Sequence, residues 1–444
     1  MGINLIELED NRASEELGND IILKLCPYSG IEIQELARQH PDLLVFPYCF
    51  DTIKDNLEKE NLFTLEGKRI RGGNVAGFIG IGDIRINIHS RFDSNKNQYF
   101  IQYMLQKIFG THLVDLKTES NQEKINDYLI FLFPWALKKA ICQGLFKTYR
   151  VFKNNDSKVK GTINFPEHIK KNIPYNGCIA YTTREHTTNN YLIHLIRHTI
   201  EYISNNTAYS SILHCDHDII NAISVIEQCT PDYDAKNLRQ IIFKNLRPKS
   251  HPYYTDYTIL QRLCLKILRH EKLAVGNNNN QINGVLFNIS WLWEEYLASI
   301  LTNLGFKHLQ NNNSARQTPF KIYNKQYQHQ ALIDAIPDFY CEKKKVIGDA
   351  KYKRLENNCI SREDRFQLIS YLHITQYSLG IILYPTTNSD CDYQQEGTLN
   401  GFGGQIGKIG IQIPQDTNTF RNFCLTMQKA ESIFCNNLIN IGVI

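Results

Sequence analysis

The segment 335–351 constrains the fold more than any other part of the chain. It holds two short, mostly apolar stretches, Ala335-Ile336-Pro337-Asp338-Phe339-Tyr340 and Val346-Ile347-Gly348-Asp349-Ala350-Lys351. Between them lies the polar run Cys341-Glu342-Lys343-Lys344-Lys345. Apolar runs of this length on either side of a turn predict two paired strands of a buried sheet. Side chains alternate along a strand, so Asp349 and Lys351 project from one face. The hairpin brings Asp338 beside them, and two carboxylates converge with one ammonium. A charged surface hairpin gives a similar pattern but carries polar flanks, whereas here the apolar run Val346-Ile347-Gly348 ends directly at the aspartate.

Two carboxylates at this spacing offer hard oxygen ligands to Mg²⁺, or to Mn²⁺. Such an ion polarises a phosphoryl oxygen and acidifies a bound water. The lysine is suited to orient that water or to offset charge in the transition state. Downstream, Arg362 to His373 predicts a helix in which Gln367 and Tyr371 are four apart and share a face. Upstream, Ile289, Leu292, Trp293, Tyr296, Leu297, Ile300, Leu301 and Leu304 recur at helical spacing and form one apolar stripe. Glu294 falls at the border of that stripe, about 100° from its centre, and Glu295 points away. A border glutamate reaches an adjoining site, so Glu294 is the expected third carboxylate. Alone, it reads equally well as an exposed helix charge.

A chain of 444 residues suggests two or three domains with ample core. The net charge is only +4, so any nucleic-acid surface must be local. The basic stretch is 138–171, where nine Lys or Arg face only Asp156 and Glu167, interleaved with Phe146, Tyr149, Phe152 and Phe165. That composition suits a DNA backbone, an acidic partner, or a solvated face over core aromatics. The twelve cysteines are scattered with no C-x-x-C pair, which fits a reducing cytoplasm rather than a disulfide framework. His214-Cys215-Asp216-His217 has metal-binding residue types, but they are too close in sequence for a usual zinc site. No apolar run is long enough to span a membrane, and the N-terminus lacks a signal-peptide pattern.

In chain order, Ile31 to Arg38 predicts a helix and Leu43 to Phe46 a strand. The region near 60–95 is β-rich, with glycines punctuating apolar runs and Ile84 to His89 alternating as a half-buried strand. There is no phosphate-loop motif among those glycines. A helix follows at Phe100 to Phe109. Residues 126 to 149 predict one or two helices with a break near Pro134. The span 186–275 is helix-rich, with helices expected at His186 to Ile203, Ile219 to Gln228 and Tyr257 to Glu271. The run Asn277-Asn278-Asn279-Asn280 reads as a linker. It separates a mixed α+β N-terminal region, 1–275, from an α/β domain, 281–444. The latter is completed by strands at Leu379 to Tyr384 and Ile406 to Ile413 and a helix near Phe420 to Phe434.

Pro337-Asp338, then Asp349-Ala350-Lys351, then Gln367 and Tyr371 on a helix, resembles the PD-(D/E)xK nucleases. Most of the chain resembles the McrC family, the nuclease subunits of McrBC-type modification-dependent restriction systems. That likeness rests on Leu292-Trp293-Glu294-Glu295-Tyr296 and the D…DxK…QxxxY set. It rests also on Ile86-Asn87-Ile88-His89-Ser90-Arg91-Phe92, on Lys160-Gly161-Thr162-Ile163, and on Glu185 to Arg197 with Asn189-Asn190. Many relatives carry Pro-Lys where this chain has Ser90-Arg91. The resemblance implies a cytoplasmic DNA endonuclease that works with a McrB-like AAA+ GTPase, docking on it and stimulating it through the N-terminal region. The motor reads the modified DNA. It further implies that Asp338, Asp349, the Ala350 carbonyl and Glu294 hold Mg²⁺, that Lys351 assists the chemistry, and that Gln367 and Tyr371 position the site. A self-sufficient recombination-type nuclease and a non-catalytic motor activator are the alternatives.

Overall fold

The computed structural model describes residues 4–40, 42–47, 61–93, 98–109, 121–207, 209–214, 216–247, 251–269, 282–309, 320–323, 334–355, 359–389, 391–401 and 403–442, with 121–128 described by backbone alone. The asparagine run at 277–280 lies outside them. The chain forms two compact units. One comprises Met1–Ile108, Leu113–Lys117 and Leu273–Ile444, and the other Phe109–His112 with Thr118–Lys272. The expected division at 275–281 therefore falls near one edge of the second unit, but residues 1–108 belong with the C-terminal part.

The reason is a shared sheet. Strand Ile282–Asn288, read from sequence as the start of the C-terminal domain, is inserted into the N-terminal sheet. That sheet has the order Asn4–Glu9, Ile84–His89, Val75–Ile81, Ile282–Asn288, Leu43–Phe46. The inserted strand runs antiparallel to Val75–Ile81 and parallel to Leu43–Phe46. Gly77 makes the close pairing possible. Its φ is +132°, and a Cβ there would collide with the Val285 carbonyl oxygen. The strand Ile84–His89 was expected to be half-buried, but every residue in it is buried. Two of its polar side chains are matched by a partner carboxylate instead of solvated. Asn87 donates to Glu7 at 2.8 Å, and His89 contacts the same carboxylate from the parallel neighbour.

The second sheet of this unit has six strands in the order Lys307–His308, Phe339–Cys341, Val346–Ala350, Leu379–Thr386, Gln405–Gln412, Gln394–Thr398. Pairing across Val346–Ala350, Leu379–Thr386 and Gln405–Gln412 is parallel, and the outer strands are antiparallel. The helix Arg362–Thr375 covers one face, packing Leu368 and Leu372 with Ile347, Ile382 and Tyr384. The helix Ile289–Leu301 begins where Asn288 accepts a bond from the Trp291 amide at 2.8 Å. It is tied to the sheet by Trp293, whose Nε1 donates to the Leu383 carbonyl at 3.2 Å. Glu431 of the C-terminal helix, Phe420–Asn440, accepts from Tyr103 at 2.7 Å and Tyr296 at 2.9 Å, with Lys107 2.9 Å away.

In the other unit, the helix Asn121–Cys142 runs through Pro134 without the expected break. Interior proline costs about 3 kcal/mol. Burial of Phe131, Phe133, Leu137 and Ala140 around it offsets that cost. The helix expected from His186 instead starts at Tyr191. Asn190 caps it, accepting from the Leu192 and Ile193 amides. Residues Ile179–Thr187 form a strand paired with Thr148–Asp156. A further helix, Leu238–Asn245, packs here without a clear apolar stripe in the sequence. Among the described residues no helix is long and apolar enough to cross a membrane.

Candidate active site

Strand Val346–Ala350 carries Asp349 into the sheet interior, where the residue is fully buried. Asp338 sits just before Phe339–Cys341, and its Oδ2 accepts from the Ala350 amide at 2.7 Å. That bond locks the aspartate against the neighbouring strand. Lys351 follows the strand, and its amide donates to the Leu383 carbonyl at 2.9 Å. Its Nζ lies 2.9 Å from Asp349 Oδ2. The same Nζ donates to Gln367 Oε1 at 2.9 Å. Gln367 Nε2 in turn donates to Tyr371 Oη at 3.1 Å, and Tyr371 donates to the Ile336 carbonyl at 2.9 Å. One run of hydrogen bonds thus fixes the ammonium, the amide and the phenol. It returns to the segment that leads into Asp338.

The electrostatics are those of crowded, buried acids. Burial and then the charge of Asp338 raise Asp349 and Lys351 opposes both, leaving it at about 7. Burial also raises Asp338, opposed by Lys351 and the Ala350 amide. Glu294 is raised to about 8, first by burial and then by Asp338. Desolvation alone would lower Lys351, but Asp349, Asp338 and Asp364 raise it overall, so it stays protonated.

Three features of the site were not visible in the sequence. His308 stacks on Phe339 and makes a 2.9 Å bond through Nδ1 to the Asp338 carbonyl. Its Nε2 lies 3.8 Å from both Glu294 and Glu295. Burial lowers His308, but the two glutamates and the Asp338 carbonyl raise it to about 9. Glu295 was expected to point away from the site. It is drawn to the same imidazole as Glu294, because the histidine lies between two consecutive carboxylates. Asp364, in the first turn of Arg362–Thr375, is 3.8 Å from Lys351 and 3.0 Å from Lys353. An isolated histidine and one acid in a helix start carry no spacing signal.

Neither carboxylate oxygen of Asp349 has a hydrogen-bond partner of good geometry. Two buried anionic oxygens without well-aligned donors fit a hard cation. Among the described residues no three His, Cys, Asp or Glu side chains are arranged to enclose a metal by themselves. A pair of carboxylates completed by a backbone carbonyl and waters is the ligand set Mg²⁺ favours. Within the 214–217 cluster, Cys215 lies outside the described residues. Asp216 caps the helix His217–Gln228 and pairs with Lys138 at 2.8 Å.

A family model described as McrBC 5-methylcytosine restriction system component matches residues 70–385. The chain belongs to the McrBC restriction-component family. The McrBC match runs from the N-terminal sheet through the whole D…DxK…QxxxY set. No curated protein matches the chain. A chain of the Thermococcus gammatolerans assembly of McrB AAA+ hexamers with bound McrC is 13% identical, with a TM-score of 0.47. The likeness covers 96% of this chain and 100% of that one. A chain of the Thermococcus gammatolerans McrBC complex is 12% identical, with a TM-score of 0.31, covering 67% of this chain and 87% of that one.

Proposed function

We propose that this chain is the Mg²⁺-dependent nuclease subunit of a methylation-dependent restriction system, and that its second sheet is a PD-(D/E)xK nuclease core. It cuts DNA when assembled with an AAA+ GTPase that it stimulates. Family membership supports the system. The observation that carries the chemistry is Asp349, buried without well-aligned donors to its oxygens and 2.9 Å from Lys351. In this reading Asp338, Asp349 and the Ala350 carbonyl would hold the metal, with Glu294 as the neighbouring acid, and the metal would polarise the scissile phosphate and supply a nucleophilic water. The protein's own groups do the rest. Lys351 presents a fixed ammonium to the charge that develops on phosphate oxygens. Gln367 and Tyr371 hold that ammonium in place. His308, kept protonated, balances the glutamates and pins the Asp338 backbone.

The basic stretch 138–171 and the residues just after it combine charge with an apolar face that suits a protein partner. Among the described residues, three of its nine Lys and Arg are already ion-paired within its own unit. Lys138 pairs with Asp216 and Asp218, Arg150 with Asp232, and Lys171 with Glu167. The side chains left outward include Tyr149, Val151, Phe165, Ile169, Ile173 and Tyr175, each 58% exposed or more. An apolar surface of this kind is typical of protein contact.

The test is Mg²⁺-dependent cleavage of methylated and unmethylated DNA by the chain alone and with its AAA+ partner and GTP. Cleavage of methylated DNA in the full mixture only is the expected result. Cutting by the chain alone would contradict motor dependence and favour a self-sufficient nuclease. No cutting in any mixture would contradict the nuclease assignment.

A further inference from the structure

The residue after the catalytic lysine is held by a loop from the other sheet of the same unit. Ser90 Oγ and Tyr352 Oη are 2.7 Å apart, and the Phe92 amide donates to the same Ser90 oxygen at 3.1 Å. The Arg91 guanidinium lies over the Tyr352 ring at 5.0 Å, and Phe92 meets that ring edge-on at 5.1 Å. Asp10, itself fully buried, fixes Arg91 through its amide at 2.5 Å and its Nε at 2.6 Å. From the nuclease side, Arg354 donates to the Arg91 carbonyl at 2.5 Å and Gln415 to the Phe92 carbonyl at 2.9 Å. Tyr352 is therefore gripped by ring and hydroxyl together.

The grip matters because of where the strand ends. Strand Val346–Ala350 stops one residue before Lys351, and the Lys351 amide makes one more bond, to Leu383. Past that point the Lys351 carbonyl accepts a local bond from the Lys353 amide at 2.9 Å, and Tyr352, between the two, is the next residue tied to the rest of the fold. A lysine side chain is long and flexible, so the place of its ammonium depends on where its backbone starts as well as on its acceptors.

We infer that Tyr352 is a positioning residue for Lys351, and that the loop Ser90-Arg91-Phe92 sets Tyr352. The inference rests on the nuclease reading above. It makes the N-terminal sheet a working part of the active site. Misplacing a reacting group by about 1 Å costs about 10²-fold in rate, so a displacement of a few tenths of an ångström costs about tenfold.

The experiment uses the full chain with its AAA+ partner, GTP and Mg²⁺, and measures the cleavage rate constant and the half-saturating DNA concentration. Tyr352→Phe, Ser90→Ala and the double variant are compared with wild type and with Lys351→Ala. Tyr352→Phe keeps the ring and its Arg91 and Phe92 contacts, and thermal melting checks that each variant is folded. Each single variant is expected to cut about tenfold more slowly at unchanged half-saturation. The double variant should lose no more than Ser90→Ala alone, because the Ser90–Tyr352 bond that Tyr352→Phe removes is already gone once Ser90, with its Phe92 amide contact, is replaced. Wild-type rates in folded single variants, multiplied losses in the double variant, or a change confined to half-saturation would overturn the positioning role. In those cases Lys351→Ala still reports on the nuclease reading, which fails separately if wild type does not cut or if Lys351→Ala cuts normally.

Discussion

Replacing Asp349 with asparagine should stabilise the protein while it abolishes cleavage. Burial and the Asp338 charge raise the Asp349 carboxyl from 3.8 to about 7. A carboxyl raised on folding binds its proton more tightly in the native state, so ionising it costs native stability. The cost is absent below the unfolded value, grows as pH rises from about 4 towards about 7, and is full above that. A rise of this size corresponds to a cost on the order of 4 kcal/mol at pH 8. The asparagine side chain cannot ionise, and it forfeits only the ion pair with Lys351, whose benefit is already counted in that shift. A relief on the order of 4 kcal/mol corresponds to roughly 4 °C in melting temperature for a chain of this length. The assay is thermal melting of wild type and Asp349→Asn across pH 5 to 8 without divalent ions, then with Mg²⁺. The variant should melt higher at pH 8, the gap should close towards pH 5, and Mg²⁺ should raise wild type alone. A variant less stable at pH 8, or a gap that does not change with pH, would refute the reasoning.

Other perturbations follow from the same contacts. Gln367→Ala breaks the bridge from Lys351 to Tyr371. Single-turnover cleavage should fall about 10²-fold, with DNA binding retained in a filter or anisotropy assay. Trp293→Phe removes the bond to the Leu383 carbonyl and leaves a cavity where the larger indole was buried. Chemical denaturation should show a loss of about 2 kcal/mol. Glu431→Leu leaves the buried hydroxyls of Tyr103 and Tyr296 without their acceptor and Lys107 without its partner. Denaturation should register a loss of about 3 kcal/mol.

The sequence displayed the site more clearly than the architecture around it. Asp338, Asp349, Lys351, Gln367 and Tyr371 lie close together in the chain, and strand alternation and helical spacing place them without tertiary information. Glu294 was accessible through the phase of its helix. His308 was not, because it acts by stacking on Phe339, a contact that only strand pairing creates. The same limit explains the sheet that unites 1–108 with the C-terminal part. Ile282–Asn288 reads locally as one more apolar strand, and its neighbours lie about two hundred residues or more upstream. Polar residues on a strand were read as solvent-facing, but in Ile84–His89 two of them, Asn87 and His89, are satisfied by Glu7. Pro134 was read as a break because local cost is visible in sequence and compensating burial is not.

The central claim is that Lys351 and its carboxylates cut DNA. The most direct measurement is cleavage of methylated DNA by Lys351→Ala with the AAA+ partner, GTP and Mg²⁺, with GTP hydrolysis followed in the same tube. The expected result is loss of cleavage with stimulated hydrolysis retained. Cleavage at the wild-type rate would contradict the assignment.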